Sequence, residues 1–332
     1  MEVGIEYTLA ARHAPGAGRY VRELVRALAG RDDRPALALY EETRRPAVLP
    51  AAALGLDGAA DVRRCAVGRP RRLSLLASRF GLGPERRLGP VALFHHARVD
   101  GLVARSVPEV VPVAELPPAG SGDERAAAER LRRAARLLVF SSSMGERLVR
   151  LGIDEARVHR VPVGADHWAR DLEAPPPRRD PPVVTVLGAV RPSRRHHVVL
   201  AACERLRVRG VEVRLDVLGR AGDRNGPFEA ARAESPMRHA VRCEVPDETE
   251  IPARLAAASV VVQLEDDPGT PVTPLEAMAL GVPVIASRAP AFVEALGDAA
   301  RFVENVEAER RRRQDDRPAR ARTSSRTYRP AP

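Results

Sequence analysis

The sequence contains no lysine, so all 54 of its basic residues are arginines. This bias runs through the whole chain, and an arginine at a single position therefore says little about function. Aromatic residues make up only 3% of the chain, which argues against a binding surface built from rings stacked on bases or sugars. The sequence also lacks an apolar run long enough to cross a bilayer, and its first residues do not have the pattern of a signal peptide.

Cysteine is scarce as well. The three residues Cys65, Cys203 and Cys243 are widely spaced and form no CxxC pair. An odd and dispersed set of this kind is typical of reduced thiols in a cytoplasmic protein. The histidines at 95–96 and 196–197 form adjacent pairs, whose side chains point in different directions. We therefore predict a cytoplasmic protein without a metal site and without a cofactor.

Length and patterning predict two α/β domains. The chain has 332 residues, of which 44% are hydrophobic, enough for two separate cores. Short apolar runs alternate with helical patterns from residue 3 onward, which predicts mostly parallel sheets covered on both faces. The alternation stops in a proline-rich stretch and restarts at residue 183. We predict an N-terminal domain over 1–166, a linker over 167–182 and a C-terminal domain over 183–304.

The segment 305–332 differs from the rest in composition. It contains four consecutive arginines among polar residues and cannot build a core, so we predict a basic, disordered tail. The formal net charge of +10 keeps open an arginine-rich nucleic-acid-binding protein as one hypothesis. The chain shows no recognisable nucleic-acid-binding module, however, and we expect no nucleic-acid partner.

Three loops between a strand and a helix are candidates for binding an anion. Gly16, Ala17 and Gly18 would let the backbone approach a phosphate at a helix N-terminus, or would simply form a tight turn. Arg191 and Arg194 would hold a diphosphate with their guanidinium groups, or would belong to an arginine-rich surface loop. The third loop opens the stretch DPGTPVTPLEAMALGVPVIAS, residues 267–287.

This third stretch predicts a short helix followed by a buried strand. Thr273, Pro274 and Glu276 fit a capping box with proline at the first helical position. The Gly-Pro turn before the helix directs backbone groups to the helix N-terminus, where an anion is stabilised.

Another segment, LSLLASRF at residues 73–80, is flanked by arginines. It is compatible with an ordinary domain helix or with a basic amphipathic helix on a membrane surface.

As an ordered set, these segments resemble the GT-B-fold glycosyltransferases of family 4, which are retaining nucleotide-sugar transferases. Residues 268–287 overlay the family pattern E-G-F-G-L-P-x-L-E-A-M-A-x-G-x-P-V-x-A-S without a gap. Further similarity lies in GAGRYVRELVRAL (16–28), SSSMGERLVRLGI (141–153), VPVGAD (161–166), VLGAVRPSRRHHVVLAA (186–202) and APAFVEALGDAARFV (289–303).

The resemblance implies an α/β protein of GT-B fold, with two doubly wound Rossmann-like domains facing each other across a cleft. It implies transfer of a sugar, with retention, from a UDP- or GDP-linked donor to a glycan or lipid acceptor, in cell-envelope polysaccharide biosynthesis. Such an enzyme would be cytoplasmic or would contact the inner membrane face peripherally. The carboxylates assigned to catalysis are Glu276, which would hold the donor ribose, and Asp267. The donor phosphates would be bound by Gly16, Ala17, Gly18, Arg191, Arg194, Gly269, Thr270 and Val272.

Several positions depart from the family pattern. Pro268 replaces the first glutamate of the motif, with Asp266 and Asp267 as the nearest carboxylates. Ala114 and Glu115 stand where the family has a His-Asp pair, and Pro271 removes one amide from the phosphate turn. The arginine expected after the strand glycine is Ala189, and the pattern ends at residue 304. A second hypothesis is therefore a degenerate relative that binds a nucleotide sugar or a partner without turnover.

Overall fold

The fold was analysed in a computed structural model, which describes residues 1–12, 14, 16–42, 56, 61–68, 71–168, 179–220, 226–265 and 268–304. Asp266, Asp267, most of the predicted linker and the predicted basic tail lie outside these ranges. Their assignments therefore stay predictions.

The N-terminal domain contains a seven-stranded sheet in which every neighbouring pair of strands is parallel. Its strands are β1 (Glu2–Glu6), β2 (Ala36–Glu42), β3 (Val62–Val67), β4 (Leu93–His95), β5 (Glu109–Val113), β6 (Arg136–Val139) and β7 (Val158–Arg160). The spatial order is β3-β2-β1-β4-β5-β6-β7. The helices are α1 (Ala17–Ala29), α2 (Arg71–Arg79), α3 (Glu85–Leu88), α4 (Gly122–Leu131) and α5 (Ser142–Arg150).

The C-terminal domain repeats this arrangement with a six-stranded parallel sheet of order β10-β9-β8-β11-β12-β13. Its strands are β8 (Val183–Leu187), β9 (Arg214–Leu218), β10 (Val241–Glu244), β11 (Val260–Gln263), β12 (Val284–Ser287) and β13 (Arg301–Val303). The helices are α6 (His196–Val208), α7 (Pro227–Glu234), α8 (Ile251–Ala256), α9 (Val272–Ala279) and α10 (Pro290–Leu296). The predicted α/β class and the two doubly wound sheets are confirmed.

Burial explains why the central strands were recognisable. All five residues of β8 are buried, and a parallel strand covered on both faces carries a continuous apolar run. Strand β3 was not predicted, because it is an edge strand whose residues are half-buried or exposed and include Arg63 and Arg64.

Within the described ranges, no helix combines the length and the apolarity needed to span a bilayer.

Each sheet has a switch point, the place where the strand order reverses along the chain. In the N-terminal sheet it lies between β1 and β4, and in the C-terminal sheet between β8 and β11. In doubly wound sheets, ligands bind at the carboxyl ends of the strands beside such a point. The switch points therefore mark where a site is expected.

Candidate functional site

A cleft of about 2930 Å³ lies between the two domains and is lined by loops from both. From the N-terminal domain it receives the start of α1, and from the C-terminal domain the loop after β8 and the turn before α9. Eight of the predicted site residues line this one cleft: Gly16, Ala17, Arg191, Arg194, Gly269, Thr270, Val272 and Glu276. The structure thus brings together side chains that are far apart in sequence.

Gly18 is an exception among the predicted residues. It is buried at the start of α1 but is not part of the cleft wall. A Cβ atom at this position would lie 2.8 Å from the carbonyl oxygen of Leu9. The close backbone approach at Gly18 is therefore made to the protein's own chain, which corrects the expectation that this residue faces the ligand.

Helices α1, α6 and α9 open onto the cleft with N-termini that have no side-chain cap. Gly16 precedes α1, Arg195 precedes α6 and Pro271 precedes α9, and none of these residues makes a capping hydrogen bond with its side chain. The first amide groups of each helix are then available to a ligand, and the positive end of the helix dipole favours an anion there.

Arg194 lies at the C-terminal switch point. Its Nε atom is 3.1 Å from Oε1 of Glu265, which follows β11. Its guanidinium group packs against Gly188, where a Cβ atom would lie only 1.7 Å from Nη1. Glycine at position 188 therefore creates the space that Arg194 occupies, and this fixes a cation beside the carboxyl end of β8.

Glu276 is fully buried, with 0% of its surface exposed. Its Oε1 atom lies 2.8 Å from Nε of Arg19 and 3.0 Å from Nε2 of His167. Its Oε2 atom accepts a hydrogen bond of 3.2 Å from Nη2 of Arg19. The predicted capping box is therefore wrong: α9 begins at Val272 after Pro271, and the Glu276 carboxylate binds Arg19 and His167.

Arg19 connects the two domains through a second carboxylate. Its Nη1 atom donates a 2.7 Å hydrogen bond to Oε1 of Glu248, and its Cζ atom lies 4.4 Å from the ring centroid of Trp168. Arg22 also reaches Glu248, at 3.3 Å. Sequence reasoning missed Arg19, Glu248 and His167 as site residues, although Arg19 lies in the GAGRY segment, because pairing over such sequence distances leaves no local pattern.

Further contacts join the two domains beside the cleft. Arg191 pairs with Glu115 at 2.5 Å, and the hydroxyl of Thr270 donates to the carbonyl of Ala114 at 3.0 Å. A Cβ atom at Gly269 would lie 2.0 Å from that same carbonyl oxygen, so the turn before α9 rests directly on Ala114. Glu294 accepts hydrogen bonds from the backbone amide and the hydroxyl of Ser142. The structure is therefore one in which the two domains are in contact.

The N-terminal switch point holds a buried ionic network. Nε2 of His96 lies 2.9 Å from Oε1 of Glu109, which also accepts from Arg130 at 2.9 Å. Burial acts to lower the pKa of His96, but hydrogen bonds to Glu109 and Glu6 outweigh it and raise this pKa overall. Burial, together with the charge of His96, lowers the pKa of His95 to about 3. His95 is therefore neutral, and its Nε2 atom lies 3.3 Å from the hydroxyl of Tyr20.

A search for metal ligands gave no candidate in the described part of the chain, where no three His, Cys, Asp or Glu residues cluster in a way that could hold an ion. The adjacent histidines are used otherwise. His196, at the start of α6, is buried beside Arg194, and burial followed by the charges of Arg194 and His197 lowers its pKa to about 4.

Comparison with protein families gives one match, which covers most of the C-terminal domain. Residues 170–311 match the family described as Glycosyl transferases group 1. The match covers 142 of the 332 residues and assigns the C-terminal domain to this family. The matched range contains Arg191, Arg194 and the whole turn before α9, and it favours a sugar transferase over the nucleic-acid-binding alternative. A search of curated proteins returned no match.

Several solved structures share the fold. HepE of Anabaena, solved with UDP-glucose, is similar with a TM-score of 0.65 and 14% identity over 95% of this chain and 88% of that one. Sucrose-phosphate synthase of Thermosynechococcus elongatus gives a TM-score of 0.62 and 16% identity, covering 97% and 92%. The lipopolysaccharide outer core galactosyltransferase WaaB in its apo form gives 0.57 and 15%, covering 93% and 88%. At these identities the similarity shows the GT-B fold alone.

Proposed function

We propose that this protein moves a sugar from a UDP- or GDP-linked donor to a glycan or lipid acceptor, with retention of configuration. One observation carries the proposal. Arg194, Glu276 and the uncapped N-termini of α6 and α9 line the same cleft at the C-terminal switch point. This combination offers a cation and free amides to a diphosphate, and a carboxylate to a ribose.

The chemistry follows from where charge develops. When the bond between the sugar and the nucleoside diphosphate breaks, the departing diphosphate gains negative charge. Arg194 and the helix N-termini are fixed in the structure before the reaction, so they stabilise this charge without reorganising. In this proposal the protein's own groups supply the stabilisation, and Arg194 is its central cation.

The Glu276 carboxylate can bind a ribose only after its contact with Arg19 is released. Both of its oxygens are engaged by Arg19 and His167, and none of its surface is exposed. Arg19 belongs to α1 of the N-terminal domain. The donor therefore requires the domains to separate around Arg19 before the ribose hydroxyls take its place on Glu276.

A second candidate is a relative that binds the donor without turnover. The observation that favours it is Ala114, which stands where the family has a histidine and whose carbonyl oxygen is covered by Gly269 and Thr270. A methyl side chain neither binds a sugar hydroxyl nor moves a proton. In this reading, donor binding survives and transfer does not.

Calorimetric titration with UDP, GDP and their sugar conjugates tests both candidates. Arg194→Gln should weaken nucleotide affinity by about 10- to 150-fold, because a hydrogen bond to a charged group contributes about 1.5–3 kcal/mol. Arg205→Gln is the matched control, since Arg205 is exposed in the last turn of α6, the helix that follows Arg194. Its affinity should equal that of the wild type.

Turnover separates the two candidates. Hydrolysis of the nucleotide sugar that binds, measured as the release of free sugar, supports the transferase. Binding with no release supports the degenerate relative. If no nucleotide or nucleotide sugar binds the wild-type protein, both candidates are wrong.

A further inference from the structure

Glu265 places a negative charge in the part of the cleft where the proposed donor phosphates bind. It lies two residues after the end of β11, and its Oε1 atom is 3.1 Å from Nε of Arg194. Both side chains belong to the cleft wall and are partly exposed. Because a carboxylate repels a phosphate, a site shaped only for tight anion binding would not contain one beside its cation. The carboxylate at position 265 therefore needs an explanation of its own.

The Glu265 carboxylate has a fixed position. Its Oε1 atom accepts a hydrogen bond from the side-chain amide of Gln263, the last residue of β11. Its backbone is held by Ser287 at the end of β12, whose hydroxyl accepts from the Glu265 amide at 3.1 Å and donates to the Glu265 carbonyl at 2.7 Å. Gln263 and Ser287 are both buried. The negative charge is therefore held at one place in the cleft by two neighbouring strands.

The orientation of Gln263 follows from this carboxylate. A carboxylate only accepts hydrogen bonds, so the amide nitrogen of Gln263 must face it. The Oε1 atom of Gln263 is then buried, and among the described residues it has no hydrogen-bond partner. A buried polar atom without a partner costs free energy, which an apolar side chain at position 263 would avoid. The amide is therefore explained by its bond to Glu265 and not by the packing of the domain.

The position of Arg194 has a separate cause. Its guanidinium group fills the space that Gly188 leaves open, where a Cβ atom would lie 1.7 Å from Nη1. The glycine thus admits the cation to this place whether or not a carboxylate stands beside it. Glu265 therefore contributes a negative charge to the site in addition to any effect on the orientation of Arg194.

The donor and the product of the proposed reaction differ in charge. In a nucleotide sugar, the terminal phosphate is esterified by the sugar. After transfer, the same phosphate has a second ionisable oxygen, with a pKa of about 6. At pH 8 a free nucleoside diphosphate therefore carries about one negative charge more than its sugar conjugate. A fixed carboxylate near this phosphate repels the product more strongly than the donor.

We propose that Glu265 is a specificity-determining residue, which makes the site prefer the sugar-linked donor to the free nucleoside diphosphate and so promotes release of this product. Arg194 and the helix N-termini attract both ligands, and Glu265 adds a repulsion that is larger for the product. At an effective dielectric constant of about 20, a unit charge about 12 Å away changes a dissociation constant about tenfold. The inference rests on the proposed function, because it requires nucleotide binding beside Arg194.

Calorimetric titration of the full chain at pH 8 with UDP, GDP and their glucose conjugates tests this role. The quantity of interest is the dissociation constant of the nucleotide sugar divided by that of the free diphosphate. Glu265→Gln keeps a hydrogen-bond acceptor for Arg194 but removes the charge. It should tighten binding of the free diphosphate at least tenfold and raise the ratio about tenfold. Glu265→Asp keeps the charge, and its ratio should stay near that of the wild type.

Glu244→Gln is the matched control. Glu244 lies in the same domain, 3.1 Å from Nη1 of Arg254, and the two side chains are 23% and 20% exposed. This ion pair resembles that of Glu265 and Arg194 in distance and exposure, but Glu244 is not part of the cleft wall. Loss of its charge should leave the ratio unchanged. Thermal unfolding checks that each variant is folded.

The ratio distinguishes a charge effect from a structural one. If Glu265 only supports the shape of the site, Glu265→Gln should weaken binding of both ligands by the same factor and leave the ratio unchanged. That result, or an equal shift of the ratio in Glu265→Asp, would overturn the inference and leave the proposed function intact. If the wild type binds neither the diphosphates nor their sugar conjugates, the proposed function is wrong and the inference is wrong with it.

Discussion

The two domains share one strand order but fill their switch points differently. In the N-terminal domain, Glu6 and His96 are both 0% exposed, and Glu109 and Arg130 complete a network of the domain's own charges. In the C-terminal domain, Arg194 and Glu265 keep 24% and 17% of their side-chain surface accessible in the cleft. At the first switch point the carboxylates and the histidine are buried and only Arg130, at 16%, reaches the cleft, whereas at the second both members of the ion pair are partly accessible.

This difference shows how one architecture supports two tasks. A buried ion pair whose partners are all present fixes the local geometry, but breaking it by removing one partner is strongly destabilising. A partly exposed ion pair such as Arg194–Glu265 contributes less to stability, and its arginine remains accessible to an anion. We therefore expect mutations at the N-terminal switch point to affect folding, and mutations at the C-terminal one to affect binding.

The largest effect is expected for Glu109→Ala. This change removes the carboxylate that buried His96 shares with Arg130 and leaves His96 with Glu6 alone, and it should lower the free energy of unfolding by about 3–5 kcal/mol. Urea denaturation measures the loss. Glu129→Ala is the control, because Glu129 is 68% exposed in its pair with Arg132, and its effect should stay below about 1 kcal/mol. Similar losses for the two variants would contradict the structural role of the N-terminal network.

Lowering the pH should reduce the free energy of unfolding through His196, the buried histidine at the C-terminal switch point. The pKa of His196 is lowered to about 4 in the folded protein, while an unfolded histidine titrates near 6.5. Between these values the unfolded chain binds a proton that the folded one does not, so stability falls as the pH is lowered. The contribution is at most about 1.4 kcal/mol per pH unit.

The measurement for His196 is the pH dependence of the free energy of unfolding between pH 6.5 and pH 5. His196→Asn should reduce the slope, whatever its effect on absolute stability. His239→Asn should not, since His239 is exposed in the same domain. An unchanged slope for His196→Asn would show that this imidazole accepts its proton in the folded state.

The smallest effect on binding is expected for Gly188→Ala. The new Cβ atom would lie 1.7 Å from Nη1 of Arg194, so the guanidinium group must move, and donor affinity should fall about tenfold. Gly210→Ala is the matched control. Both glycines have positive φ, +131 and +82, but a Cβ atom at Gly210 meets nothing within 4 Å. Both variants should lose about 1–3 kcal/mol of stability, and only Gly188→Ala should lose calorimetric affinity for the nucleotide.

Sequence patterns predicted the fold well because parallel strands buried on both faces are continuous apolar runs. Strand β8 is a clear example, whereas the half-buried edge strand β3 carries no such run and was missed. At the site, Arg194 was found because it follows a predicted strand. The partners of Glu276 were not found, because Arg19 and His167 lie 257 and 109 residues away in the chain. Local rules then assigned Glu276 to a capping box that does not form.

Trp168 has a practical consequence as the only tryptophan in the chain. Its indole lies under the guanidinium group of Arg19, 4.4 Å from Cζ to the ring centroid, and Arg19 binds Glu276, the carboxylate proposed for the donor ribose. The tryptophan fluorescence of the unlabelled protein thus comes from a single ring. The proposed separation of the domains would move Arg19 away from this ring, so the change in fluorescence in a stopped-flow experiment would measure the rate of that separation.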